Sequence, residues 1–132
     1  MSDLIKDDSR ELAKWLHATG GDISILKPFE RDIFLFDTYI AGTMHVEGIR
    51  DLEPYLRVGD KLSFIREADN HFDKSAIAVR NNDGVKIGYV PKKDNVVFSR
   101  LMDAGKLLFG KITSKEMKSD WLNVHLDIYM HE

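Results

Sequence analysis

The chain has 132 residues, is 43% hydrophobic and 31% charged, and carries a formal net charge of −3 at pH 7. This describes one globular domain with enough length for a core, and the absence of cysteine removes disulfides, thiolate metal sites and cysteine nucleophiles together. No apolar run approaches the ~20 residues that span a bilayer, and the start, MSDLIKDDSRELAKWL, is too polar for a secretory signal, so a cytoplasmic protein is expected.

Residues 3–18 read as an amphipathic helix, with Ser2 or Asp3 as cap, acids in the first turns and Gly20-Gly21 as its end. Ile5, Leu12, Trp15 and Leu16 share one stripe, which packs either on the barrel or, as the favoured expectation, on a second copy of the protein to make a homo-oligomer. Asp22 to Glu30 is a connector, with Pro28 holding Lys27 extended. The apolar run Ile33-Phe34-Leu35-Phe36, then Tyr39-Ile40, leads into a first strand expected to continue through Thr43, His45 and Val46 to Gly48. Asp51 to Leu56 is a single helical turn around Pro54, and Val58-Gly59-Asp60 a tight turn.

The stretch from Lys61 to Lys93 organises the rest. Leu62, Phe64 and, after a slip in phase, Ile65 give one apolar face; Ala76, Ile77 and Val79 a second; Ile87, Tyr89 and Val90 a third. Between the first two lies a polar connection, Glu67 to Lys74, with a lone aromatic at Phe72. Asn81-Asn82-Asp83-Gly84 is the clearest hairpin signal, since these residues tolerate positive φ. Pro91 opens a helix whose apolar face is read as Val97, Leu101 and Ala104, with Phe98 and Met102 beside it, and which Gly105 stops. Lys106 to Met117 and Trp121 to Met130 form a final hairpin turning at Lys118-Ser119-Asp120. In its last strand Leu122, Val124, Leu126, Ile128 and Met130 alternate with Trp121, Asn123, His125, Asp127 and Tyr129.

Three spaced patterns in this sequence resemble the HIRAN domain: Gly59-Asp60-x-Leu62-x-Phe64-x-Arg66-Glu67, then Asn70-x-Phe72-Asp73-x-x-Ala76-Ile77-x-Val79, then Ile87-Gly88-Tyr89-Val90-Pro91. The resemblance covers roughly Asp37 to Met130, which divides the chain into an N-terminal helix and connector (1–36) and a barrel domain (37–132). It implies a mainly β fold with helices: an OB-like barrel of about six strands, one helix after the fourth strand and the extra N-terminal helix. It also implies binding of single-stranded DNA, in characterised members at a 3′ end, in DNA repair or processing. Two departures stand out. Phe72 occupies a position where the family usually has Tyr, and Met44-His45 replaces an Arg-Tyr pair on the first strand.

Each candidate binding residue has a structural alternative. The Phe72 ring can stack on a base or tuck into the barrel mouth, and Asp73 can accept a terminal sugar hydroxyl, as the resemblance implies, or cap a turn. Asn70 shapes the loop or binds; Lys74 meets a phosphate or water. Tyr89 sits beside Gly88, where a ligand or another backbone can come close, and Lys92 and Lys93 stand at a helix start that attracts anions. Trp121 offers an outer-face aromatic, His45 a substitute stacking ring, and Arg66 a compensating charge. Residues 1–60 hold 7 Lys and Arg against 12 Asp and Glu, and residues 61–132 hold 12 against 10, so the small basic surplus lies with the motif. The five histidines have no metal-ligand spacing, and neither a phosphate loop nor a nucleophile elbow occurs. The expectation is a non-catalytic module for single-stranded DNA or DNA ends, without cofactor or metal. The alternative is a homo-oligomerising interaction domain whose groove takes a peptide or a neighbouring subunit.

Overall fold

The computed structural model describes residues 31–119 and 121–132; the helix expected over 3–18, and its part in assembly, lie outside them. Six strands form one antiparallel sheet: β1 (Asp32–Tyr39), β2 (Lys61–Arg66), β3 (Ile77–Arg80), β4 (Lys86–Tyr89), β5 (Leu107–Lys118) and β6 (Trp121–His131). Their order is β1-β6-β5-β2-β3-β4. The sheet curls until the chain just beyond β1 reaches β4, where Ala41 and Tyr89 exchange two backbone hydrogen bonds of 2.8 and 2.9 Å. That bridge joins the two ends of the sheet and makes a barrel-like fold of the expected kind, with one helix after β4.

Gly88 permits the bridge. A Cβ there would lie 2.5 Å from both the Ala41 carbonyl oxygen and Ile40 Cγ2, so only glycine lets the two backbones meet. Inside the curl, one face of each strand from β2 to β6 buries aliphatic side chains, among them Leu62, Ile77, Val79, Ile87, Ile112, Leu126 and Ile128, and β1 adds the partly buried Leu35. Each such side chain contributes about 1.5–3 kcal/mol by leaving water. β6 keeps strict alternation, while β3 is buried on both faces at Ile77, Ala78 and Val79.

Three local expectations are corrected. The first strand stops at Tyr39 rather than running to Gly48; Gly42 turns left-handed (φ 76°) and Thr43–His45 forms a 3-10 turn. The buried Thr43 hydroxyl donates to the Leu122 carbonyl at 2.6 Å and pins that turn to β6. At its other end β1 begins at Asp32, and it carries a bulge at Leu35 that explains its irregular apolar run. No slip occurs in β2: Leu62 and Phe64 face inward and Ile65 lies on the outer face, 41% exposed.

The long helix, α2 (Lys92–Asp103), follows a short one, α1 (Ile49–Leu52), in chain order. It turns Asn95, Phe98 and Ser99 inward, with Leu101 and Met102 partly buried against the core, and leaves Val97 and Ala104 exposed, so the expected face holds at Phe98, Leu101 and Met102 and fails at Val97 and Ala104. Three adjacent apolar residues, Val96-Val97-Phe98, make two stripes readable, and the polar pair Asn95 and Ser99 hides the true one. At its end the N–H groups of Gly105 and Lys106 bond the carbonyls of Met102 and Leu101, closing the helix with a left-handed glycine. Among the described residues no helix is long and apolar enough to cross a membrane.

Candidate nucleic-acid interface

The connection between β2 and β3 is built from its own polar side chains. Asn70 Oδ1 accepts from the backbone N–H of Phe72 (2.9 Å) and Asp73 (3.1 Å), and Asp73 Oδ1 accepts from Ser75 N–H (2.9 Å). Arg66 ties this loop down. Its Nη1 donates to the Ala76 carbonyl (2.7 Å), Nη2 to the Lys74 carbonyl (3.0 Å), and Nε and Nη2 grip both oxygens of Asp103 near the end of α2. The guanidinium is thereby engaged with the protein, and Arg66 serves the site by shaping the loop.

The loop leaves Phe72 93% exposed, the opposite of a ring tucked into the barrel mouth. It stands at a groove of about 300 Å³ lined by Ala41, Asn70, Phe72, Asp73, Ala76, Tyr89, Val90, Lys92 and Asn95. Five of the residues singled out from sequence therefore come together: Asn70, Phe72, Asp73, Tyr89 and Lys92. The barrel closure places them so, because Ala41 and Tyr89 of the bridge form part of the groove wall.

Glu67 orders the far side. Its Oε1 accepts from Asn70 Nδ2 (3.1 Å) and from the Tyr89 hydroxyl (2.8 Å), and its Oε2 accepts from Lys86 Nζ (3.1 Å), which also donates to the Tyr89 oxygen (2.9 Å). Partial burial pushes the Glu67 carboxyl up, but the hydrogen bonds from Asn70, Tyr89 and Lys86 outweigh it and hold the group below its ordinary value. Asp73 is also held below its ordinary value. The Asn95 amide, which donates to Oδ2 at 2.7 Å, contributes most, followed by the Ser75 N–H, with the Lys92 and Arg66 charges adding less.

These carboxyls set an acid limit on stability. A folded-state pKa below the unfolded one gives stability that is complete above the unfolded value and lost as pH falls through the folded value. Thermal unfolding is expected to shift to lower temperature as pH drops below the ordinary values of 4.5 for Glu67 and 3.8 for Asp73. Scanning calorimetry on the wild type and on Asp73→Asn checks this; an acid slope unchanged in the variant would remove Asp73 from the account.

Asn95 was missed by sequence reading. It is 2% exposed, it directs its amide nitrogen at Asp73, and its Oδ1 has no hydrogen-bond partner among the described residues. The signal was its place three residues after Lys92, on the same side of α2. Other candidates stand apart from the groove. Adjacent helix residues diverge by about 100°, so Lys93 turns into a neighbouring depression, with Nζ 5.4 Å from the Tyr39 ring centroid. His45 is exposed on the 3-10 turn, Lys74 is exposed outside the groove lining, and Trp121 starts β6 beside Lys118, whose Nζ is 5.9 Å from its ring centroid. No cluster of metal-ligating side chains occurs among the described residues.

The fold and the motif agree with known proteins. A crystallised protein from Lactobacillus plantarum superposes with a TM-score of 0.73 at 27% identity, covering 78% of this chain and 98% of that one. The HIRAN domain of human HLTF shares the fold at a TM-score of 0.58 and 17% identity, over 76% of this chain and 81% of that one. In sequence the chain is 32% identical over 69 residues to the helicase-like transcription factor of Oryctolagus cuniculus, and 34% identical over 84 residues to the Fanconi-associated nuclease 1 homolog of Arabidopsis thaliana. These matches take in 51% and 63% of this chain but only 7% and 9% of those relatives. The HIRAN domain profile matches residues 33–132, from within β1 to the end of β6 and beyond, so this chain belongs to the HIRAN domain family.

Proposed function

We propose that the groove between the β2–β3 loop and the start of α2 binds the end of a single DNA strand, as a non-catalytic module of DNA repair or processing. The observation that carries this reading is Phe72: a large aromatic ring, 93% exposed, on a loop whose hydrogen bonds fix its backbone. A ring presented to water in this way costs apolar exposure and gives back stacking when a base arrives. Tyr89 supplies a second aromatic wall, and Lys92, on the first turn of α2, supplies a cation beside free helix N–H groups for a phosphate.

Asp73 gives the reading its end specificity. A carboxylate repels phosphate but accepts from a terminal sugar hydroxyl, and each of its oxygens has one protein donor and a further lone pair. The kinship with proteins named as a helicase-like factor and a nuclease supports nucleic acid as the ligand class.

Fluorescence-anisotropy titration of labelled single strands over a salt series tests this. Binding is expected to weaken with salt, and Lys92→Ala to flatten the slope of log K against log salt by about 0.7, the value for one single-strand phosphate contact. A strand with a blocked 3′ hydroxyl is expected to bind more weakly than its free counterpart, and Asp73→Asn to narrow that difference. Absence of binding at low salt would contradict the proposal.

A further inference from the structure

The outer face of the sheet carries a second organised surface, away from the groove lining. Phe34, Tyr129 and Phe109 sit side by side on β1, β6 and β5, with Phe34 paired to Tyr129 and Tyr129 to Phe109. Phe109 and Tyr129 stack at 5.5 Å, and Phe34 meets Tyr129 edge-on at 5.9 Å. These residues share the outward side of β6, because Leu126 and Ile128, on either side of Asp127, point into the core. Phe34 is 55% exposed at the edge of this row, and Leu107, on the outward side of β5 two residues before Phe109, is also exposed.

The next outward row is divided by charge. Register places Asp37 beside Asp127, Asp127 beside Lys111, and Lys111 beside Lys61. Acid therefore occupies the β1–β6 half and base the β5–β2 half. Neither lysine is ion-paired within the described chain; Lys111 Nζ lies 5.2 Å from the Tyr129 ring centroid, and Lys61 Nζ 4.5 Å from that of Phe109. The two aspartates make this face a poor seat for a polyanion.

We infer that this face is the contact between two copies of the chain, packed sheet to sheet about a two-fold axis running along the strands between β5 and β6. Such an axis lays the β6 of one copy over the β5 of the other. Asp127 then faces Lys111 of the second copy, Asp37 faces Lys61, and the part-buried Tyr129 lies over Phe109, which its own Tyr129 and Lys61 leave 7% exposed. The division of charge that leaves the face unsatisfied alone makes it complementary to itself, with an aromatic row at the centre and ion pairs beside it. This inference rests on the outer face alone and is independent of what the groove binds.

Sedimentation velocity of the full chain across a dilution series tests it. The wild type is expected to form dimers. Lys111→Asp sets like charges opposite each other at the Asp127 position, and Asp127→Lys does the same at the Lys111 position, so each variant alone is expected to weaken self-association by about tenfold or more. Mixing the two variants restores both ion pairs and is expected to recover a heterodimer with wild-type affinity. Circular dichroism of each variant checks that its fold is intact. A wild type that stays monomeric, a dimer indifferent to both charge reversals, or two monomeric variants that stay apart on mixing would each overturn the inference, the second by placing association elsewhere in the chain.

Discussion

Phe72→Ala is expected to lower the affinity for single-stranded DNA by roughly 5- to 150-fold, the equivalent of about 1–3 kcal/mol for one base-stacking ring. The same substitution is expected to leave the unfolding midpoint unchanged, because the ring is exposed and stands outside the hydrophobic core. That separation is the diagnostic feature: a buried aromatic would lose stability and binding together. Phe72→Tyr keeps the stacking face and is expected to bind as well as the wild type, whereas Phe72→Leu keeps bulk without a π-face and falls between. Anisotropy and thermal denaturation of the same samples check both halves. A loss of stability without a loss of affinity would make Phe72 a structural residue.

The second large effect belongs to the barrel closure. Gly88→Ala puts a methyl group 2.5 Å from the Ala41 carbonyl oxygen and from Ile40 Cγ2, neither of which is the far end of a flexible chain that can swing clear. The backbone at this position also has φ 153°, which side chains rarely adopt. Clash and strain together are expected to destabilise the fold by about 2–4 kcal/mol, read as a fall of roughly 10 °C in Tm. Gly84→Ala is the comparison. It has a left-handed φ of 80° with open space around it, so only the conformational cost of about 1–2 kcal/mol applies. Because Ala41 and Tyr89 wall the groove, Gly88→Ala is also expected to weaken DNA binding, while Gly84→Ala leaves it intact.

The residues that were legible in the sequence are those whose chemistry is local. The Asn81-to-Gly84 turn announces itself because Asn81 Oδ1 accepts from the N–H groups of Asp83 and Val85, a motif contained within five residues. Strand β6 is legible because its outward and inward residues alternate without a bulge. The loop from Asn70 to Ser75 is likewise self-contained, which is why Asn70, Phe72 and Asp73 could be assigned to one site. What escaped depends on distant partners. The first strand ends early because of Thr43, whose hydroxyl finds a carbonyl 79 residues away on β6. Arg66 resembles a phosphate ligand in sequence, and its engagement with Asp103, Lys74 and Ala76 exists only once the helix and loop are folded together. Asn95 reads as an ordinary polar helix residue until Asp73 is placed against it. Lys92 and Lys93 form one basic pair in sequence, yet the turn of the helix gives them to different depressions.

The β2–β3 loop, the bridge at Tyr89 and the first turn of α2 belong to three separate stretches of chain, and closure of the sheet is what makes them one surface. Chemical-shift mapping of the isotope-labelled full chain with a short single strand bearing a free 3′ hydroxyl addresses that surface residue by residue. The account predicts that the amides of Asn70 to Ala76, Tyr89 and Lys92 to Asn95 move together along one binding curve, while those of Phe34, Phe109 and Tyr129 on the outer face stay in place. Shifts centred on the outer face, or none around Phe72 at saturating strand, would contradict it.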